Sequence, residues 1–441
     1  MTDWRFFSAL LGVPLVGLAV QRCLFPRSRN TCARLGFSAA AGAVLLCFEM
    51  LLLTSVGIPW SVWLLSFPAL LLLLGPGVGG SPFRAAAGAH RMSAFDILLI
   101  LVTLGVVAYA TATARATGGD FLLFWGAKGE HFGLSRSIDV GYLRDPLHFQ
   151  MHPTYPPLVP LLYAWGTMVA GRLSWEAGLL TMPLFLSLTG CAFLGFAEPL
   201  CGRRRAATLT AVLVAMLGLV MIAVPVAGNA EPLLLYFETV SLVALLFRPT
   251  GERGFLAAGV GLAGAAMTKI EGCIFAVLVI CAHLVFGRDR SFRALASLVT
   301  PPLIMVGGWF AFCHAHGISG RYELPTASSV RFLPLIVGEM GRQASFGVGY
   351  VPWIAAVLIG IGGRWSSESR TAAVVAIGFA GAMICIYLGA RQDPRLWILW
   401  SAGRLFMTPL LCCFLASVAA RLNPGSCPGE LAEITTPTLH P

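Results

Sequence analysis

The sequence predicts an all-α fold, a polytopic helical bundle embedded in a membrane. Three observations carry that expectation. The 441 residues are 57% hydrophobic and 11% charged, whereas a soluble domain carries about 25% charged residues. Apolar runs long enough to cross a bilayer recur along the whole length. No interval between them is long enough for a separate soluble domain.

Taken in order, the runs lie near 6–24, 35–55, 60–78, 93–113, 157–172, 177–199, 207–226, 231–248, 255–286, 294–313, 350–363, 370–389 and 403–420. With about 20 apolar residues needed per crossing, they predict about 12–14 spans. The first run, Phe6–Val20, has no small-residue cleavage site after it and reads as a span. The run 255–286 is long enough for two helices, broken by Thr268-Lys269-Ile270-Glu271-Gly272. The organisation expected is an N-terminal group of membrane helices over 1–92 and a second membrane module over 93–420. Within the module, 114–156 forms an outer loop. A Pro/Thr-rich tail over 421–441 is expected to be disordered and cytoplasmic.

Basic residues orient the bundle. Arg27, Arg29 and Arg34, Arg84 and Arg91, Arg203 to Arg205, Arg248 and Arg253, Arg288, Arg290 and Arg293, and Arg364 and Arg370 mark successive cytoplasmic loops. Segments 114–156, 227–231, 268–272, 314–348 and 390–404 then fall on the opposite face. Two full spans between 157 and 199 would put Arg203 to Arg205 on the wrong side, so one of those segments is expected to be re-entrant or interfacial. The net charge of +10 belongs to loops and headgroups; the arginines form no basic-aromatic stripe, so no nucleic acid is expected as a partner. The 12 cysteines form no CxxC pair and read as small buried apolar residues.

The opposite face holds the chemistry-bearing residues. Only two of the 30 basic residues are lysines, Lys128 and Lys269. Asp120 follows two glycines at the exit of 93–113. Asp favours caps and turns, but the aromatic run Phe121 to Trp125 would hold this carboxylate at the interface, where it could take a proton from an attacking hydroxyl. Lys128, if 121–131 is helical, lies about two turns along the same broad face; it either snorkels or meets a lipid phosphate. His152 and Tyr155 open the segment His152-Pro153-Thr154-Tyr155-Pro156-Pro157. Glu231 precedes Pro232, and Glu238 shares its helical face; a carboxylate inside a span is a functional candidate. Lys269 and Glu271 form a local pair at the break. Arg321, Glu323, Arg391, Asp393, Arg395 and Arg404 share this face, where an anion would explain the arginines. There is no P-loop, no HExxH and no GxGxxG after a strand, so nucleotide-driven chemistry has no support. Clustered carboxylates could hold a divalent cation, but no ligand spacing demands one; no cofactor and no metal ligand is expected.

Several of these motifs resemble the GT-C glycosyltransferases. They are Asp120 just after a span, the Phe124-Trp125-x-x-Lys128 run and HPTYPPLVPLL over 152–162. Three later segments are similar to motifs of the same family: AEPLLLYF over 230–237, TKIEG over 268–272, and Ser401-Ala402-Gly403-Arg404 followed by Pro409. Within the family the likeness is to the bacterial branch related to protein mannosyltransferases and aminoarabinose transferases, and it covers roughly 93–410. The resemblance implies a GT-C-like fold with a helical first outer loop, and an inverting transferase. Such an enzyme would move a sugar from a polyprenyl-phosphate donor to a hydroxyl of a glycolipid, polysaccharide or protein. It implies a multi-pass protein of the inner, or plasma, membrane with its active site facing the periplasm or exterior. Asp120 matches the family's catalytic acid. Tyr155 stands where relatives often carry a lysine, a departure that leaves Lys128, Lys269 and arginines such as Arg404 to stabilise the leaving phosphate. Trp125, Lys128, His152, Tyr155, Glu231, Lys269, Glu271, Arg391 and Arg404 are the substrate-binding candidates. The rival functions are a transporter or flippase of lipid-linked sugar, which would show repeated halves with matching broken helices, and a polysaccharide polymerase or ligase.

Overall fold

The computed structural model describes residues 4–24, 31–74, 105, 108, 109, 112, 119–247, 252–320, 327–389 and 393–422. All of the extended elements among them are helical. The chain runs α1 (Trp4–Leu24), α2 (Thr31–Ser55) and α3 (Val62–Leu74), then a widened helical turn (Phe121–Trp125) that leads into α4 (Gly126–Ser135) and α5 (Val140–Arg144). It continues as α6 (Leu158–Ala170), α7 (Trp175–Leu179), α8 (Thr181–Cys201), α9 (Arg203–Ala223), α10 (Glu231–Phe247), α11 (Glu252–Thr268) and α12 (Ile270–Phe286). It ends as α13 (Phe292–Ala315), α14 (Leu333–Gln343), α15 (Val351–Gly360), α16 (Ser367–Leu388), α17 (Pro394–Leu405) and α18 (Met407–Leu422).

Seven of the described helical stretches are long and apolar enough to cross a membrane: Trp4–Arg22, Thr31–Ser55, Trp175–Cys201, Arg203–Ala223, Phe292–Ala315, Ser367–Leu388 and Pro394–Leu422. Large apolar side chains such as Leu303, Ile304 and Ile377 point outward from them, as a lipid-facing surface requires. The chain is therefore a multi-pass, all-helical membrane protein. The run 93–113 and the tail from 423 onward lie outside the described residues. Several other apolar runs fold as helices shorter than a crossing. The run 157–172 gives α6, whose 13 residues extend only about 20 Å, against a hydrocarbon core of about 30 Å. The long crossing between 157 and 203 is α7–α8, so the topological conflict over Arg203 to Arg205 is eased by a short α6.

The centre of the bundle is α10. Every residue from Glu231 to Phe247 is buried, as expected of a helix that is apolar all round. It packs against α8, α11 and α18. The segment α4 lies against α6, and close approach is possible because Gly129 and Gly133, one turn apart, face that helix. A methyl group at Gly133 would sit 2.6 Å from Thr167 Cβ. At the break between α11 and α12, Lys269 alone is extended, with φ −162° and ψ 159°. Gly272 N donates to Lys269 O at 2.9 Å and starts the next helix.

Candidate active site

Asp120 lies at the start of the widened turn, with helical φ and ψ and no capping hydrogen bond from its side chain. The capping reading therefore fails; the carboxylate turns away from its own helix. Its neighbour Phe121 is fully buried and anchors the turn. The ring lies 5.4 Å from that of Tyr163 and 5.2 Å from that of Trp175. It also presses on Gly228, where a Cβ would stand 2.8 Å from Phe121 Cδ1. Gly228 has φ +75°, so both its backbone and its crowded surface call for glycine. Tyr163 Oη donates to Gly228 O at 2.8 Å. One aromatic cluster thus fixes the turn that carries Asp120 and the turn that leads to Glu231.

Five charged side chains meet where these turns converge. Arg404, in the last turn of α17, donates through Nη1 to Asp120 Oδ2 and lies 3.5 Å from Glu231 Oε1. Lys269 Nζ lies 3.1 Å from the same Glu231 oxygen and 3.3 Å from Glu271 Oε1. The result is a line of alternating charge, Asp120–Arg404–Glu231–Lys269–Glu271, drawn from four separate segments. Asp120 is its most accessible member, with 26% of its side chain exposed against 3% for Glu231. Removing one partner from such a buried pair strands the other charge in a low dielectric, at a cost of about 3–5 kcal/mol.

With three carboxylates facing two cations, the line offers more acceptors than donors. Glu231 Oε2, Glu271 Oε2 and the neighbouring Asn229 Oδ1 are buried and accept no hydrogen bond among the described residues. Asp120 Oδ1 accepts none there either, while Oδ2 is held by Arg404. This arrangement can take a proton from a hydroxyl and can hold a donor-rich group such as a polyol beside it.

A second cluster adjoins the first. Lys128 Nζ donates to His152 O at 2.8 Å and stands 5.9 Å from the centre of the Trp125 ring. His152, with φ +51°, stacks on Tyr155 at 4.5 Å; the rings of Trp125 and Tyr155 are 6.1 Å apart. Burial pushes the Lys128 ammonium down to about 7, with Cys313 opposing. His152 is pushed down to about 4, first by burial and then by the positive charges of Lys128 and Lys269, with Asp120 pulling the other way. The imidazole is therefore neutral at pH 7, and it feels residues of both clusters.

Of the residues singled out in the sequence, Asp120, Glu231, Lys269, Glu271 and Arg404 come together, while Trp125, Lys128, His152 and Tyr155 form the adjoining group. Lys128 lies eight residues after Asp120 along the same helical stretch and makes its hydrogen bond to His152 O, in the adjoining group. Arg391, Arg321 and Glu323 lie outside the described residues. Asp393 caps α17 by accepting from Arg395 N at 2.9 Å, and Arg395 is exposed; neither joins the site. Glu238 accepts from Thr408 Oγ1 at 2.8 and 2.9 Å, deeper along α10. Sequence reasoning missed Thr408 and Tyr163 as supports, because each looks like an ordinary residue of an apolar segment. Among the described residues, no group of three or more His, Cys, Asp or Glu side chains is placed to hold a metal ion. No family model, curated protein or solved structure matches this chain.

Proposed function

We propose that the chain is an inverting glycosyltransferase that moves a sugar from a polyprenyl-phosphate donor to a hydroxyl acceptor on a glycolipid, polysaccharide or protein, at the periplasmic or exterior face of the inner membrane. The observation that carries the reading is the convergence of Asp120, Arg404, Glu231, Lys269 and Glu271 at one end of a membrane bundle. Asp120 acts as general base. Arg404 fixes its Oδ2, leaving Oδ1 to accept the proton of the acceptor hydroxyl. The hydroxyl oxygen forms the new bond to the anomeric carbon from the face opposite the phosphate. The bond from that carbon to the phosphate oxygen breaks, and its electron pair leaves with the polyprenyl phosphate. A phosphate monoester is already a stable anion, so no general acid is required. The acceptor oxygens of Glu231, Glu271 and Asn229 suit sugar hydroxyls.

The test is incubation of membranes containing the full chain with a radiolabelled polyprenyl-phosphate sugar. Label passing to an acceptor supports the transferase. Label that crosses the bilayer still attached to its lipid contradicts it and favours a flippase.

A further inference from the structure

Lys269 and Arg404 are both held by carboxylates. Lys128 is not: among the described residues it has no carboxylate partner, although only 3% of its surface is exposed. Its ammonium has three N–H donors, and the structure gives them one acceptor, His152 O. One turn earlier on the same helix face, Trp125 is equally buried, and its Nε1–H makes no hydrogen bond among the described residues. Two adjacent buried donors, one of them a cation without a counter-ion, leave one acceptor of negative charge to be supplied from outside. Leu122 and Leu123, on the preceding turn, are exposed apolar side chains, which places this pair beside a surface suited to lipid.

We propose that Lys128 and Trp125 form an oxyanion-binding subsite, separate from the Asp120–Arg404 pair, that takes the phosphate of an interfacial ligand. Only the ligand's identity as a sugar donor rests on the transferase reading. The phosphate is then met by the uncompensated cation, with the sugar directed toward Asp120. The titratable groups that face Lys128 are Cys313 from α13 and His152; His152 in turn feels the charges of Lys269 and Asp120. Binding therefore requires Lys128 to be protonated and weakens as the pH rises.

The experiment titrates the purified full chain in neutral detergent with farnesyl phosphate, farnesol and inorganic phosphate, following the phosphate by phosphorus NMR and the alcohol by competition. Farnesyl phosphate is expected to bind, with affinity falling as the pH rises from about 6 to about 9. Lys128→Met is expected to weaken it about tenfold or more, and Trp125→Phe, which keeps the ring, by about threefold or more. Lys128→Met removes a buried uncompensated charge, so it should melt no lower than the parent. Farnesyl phosphate binding better than inorganic phosphate supports a lipid headgroup; equal binding supports a free oxyanion in the same subsite. Unchanged affinity in Lys128→Met, or farnesol competing as well as its phosphate, overturns the proposal. Asp120→Asn should keep the binding. Parent membranes that transfer no label overturn the transferase reading while leaving this subsite standing.

Discussion

Arg404 donates to the carboxylate of Asp120 across 284 positions of sequence, and the same guanidinium lies 3.5 Å from Glu231. It is the joint between the first polar segment and the centre of the bundle. Arg404→Leu leaves both carboxylates without that cation and is expected to cost about 3–5 kcal/mol, read as a fall in thermal midpoint. In an Asp120→Asn background the same change should cost less than the sum of the two, with a coupling of about 0.5–3 kcal/mol in a double-mutant cycle.

Lys269 sits between two buried carboxylates at the break between α11 and α12. Lys269→Met should therefore destabilise more than Lys128→Met, by about 3–5 kcal/mol. Adding Glu231→Gln to Lys269→Met should restore part of the loss, because it removes one stranded charge. Thermal unfolding of the three variants in one detergent checks the order.

Lys128 gives a pH signature of the opposite kind. Its folded value of about 7 lies below its ordinary 10.5, with burial as the leading cause. Between these values the unfolded chain binds a proton that the folded chain does not, so stability rises with pH across that window. Below about 7 both states are protonated and the full cost of the buried charge is present. Lys128→Met should remove this rise, which melting curves from about pH 7 to about pH 10 would reveal.

Gly228 couples packing to chemistry. Its φ of +75° and the Phe121 ring against its Cα leave no room for a methyl group. Gly228→Ala should lower stability by about 1–3 kcal/mol. By displacing Phe121 it should also reduce sugar transfer beyond what the loss of folded protein explains, as activity per folded molecule would measure.

On the outlying loop, His131 Nε2 and Asp139 Oδ2 are 2.8 Å apart. Burial raises the Asp139 value, but the His131 and Tyr142 hydrogen bonds outweigh it, and the net shift is below the ordinary 3.8. The contribution is complete above about pH 4 and drains away as the pH falls through the lowered folded value. Asp139→Asn should make proteolysis of 136–151 faster near neutral pH and insensitive to acid.

The sequence made the helical bundle legible because hydropathy reports burial and span length directly. The break at 268–272 was also legible, since Lys269 and Glu271 interrupt an apolar run that would otherwise be one long helix. Convergence of Asp120, Glu231, Lys269 and Arg404 followed from topology, which put them on one face. The partner of each was not legible: nothing in the spacing says that Arg404 pairs with Asp120 while Lys128 does not. The support of Gly228 by Phe121 and Tyr163 was hidden too, because buried aromatics in apolar segments carry no mark of the turn they brace.

The proton acceptor is the point on which the proposed reaction turns. Purified parent and Asp120→Asn chains, reconstituted at equal folded amounts with a polyprenyl-phosphate sugar and an acceptor that the parent glycosylates, should differ in transfer rate by about 10²–10⁴-fold, the range for a general base. A rate for Asp120→Asn within a few-fold of the parent would contradict the assignment of Asp120 as the base.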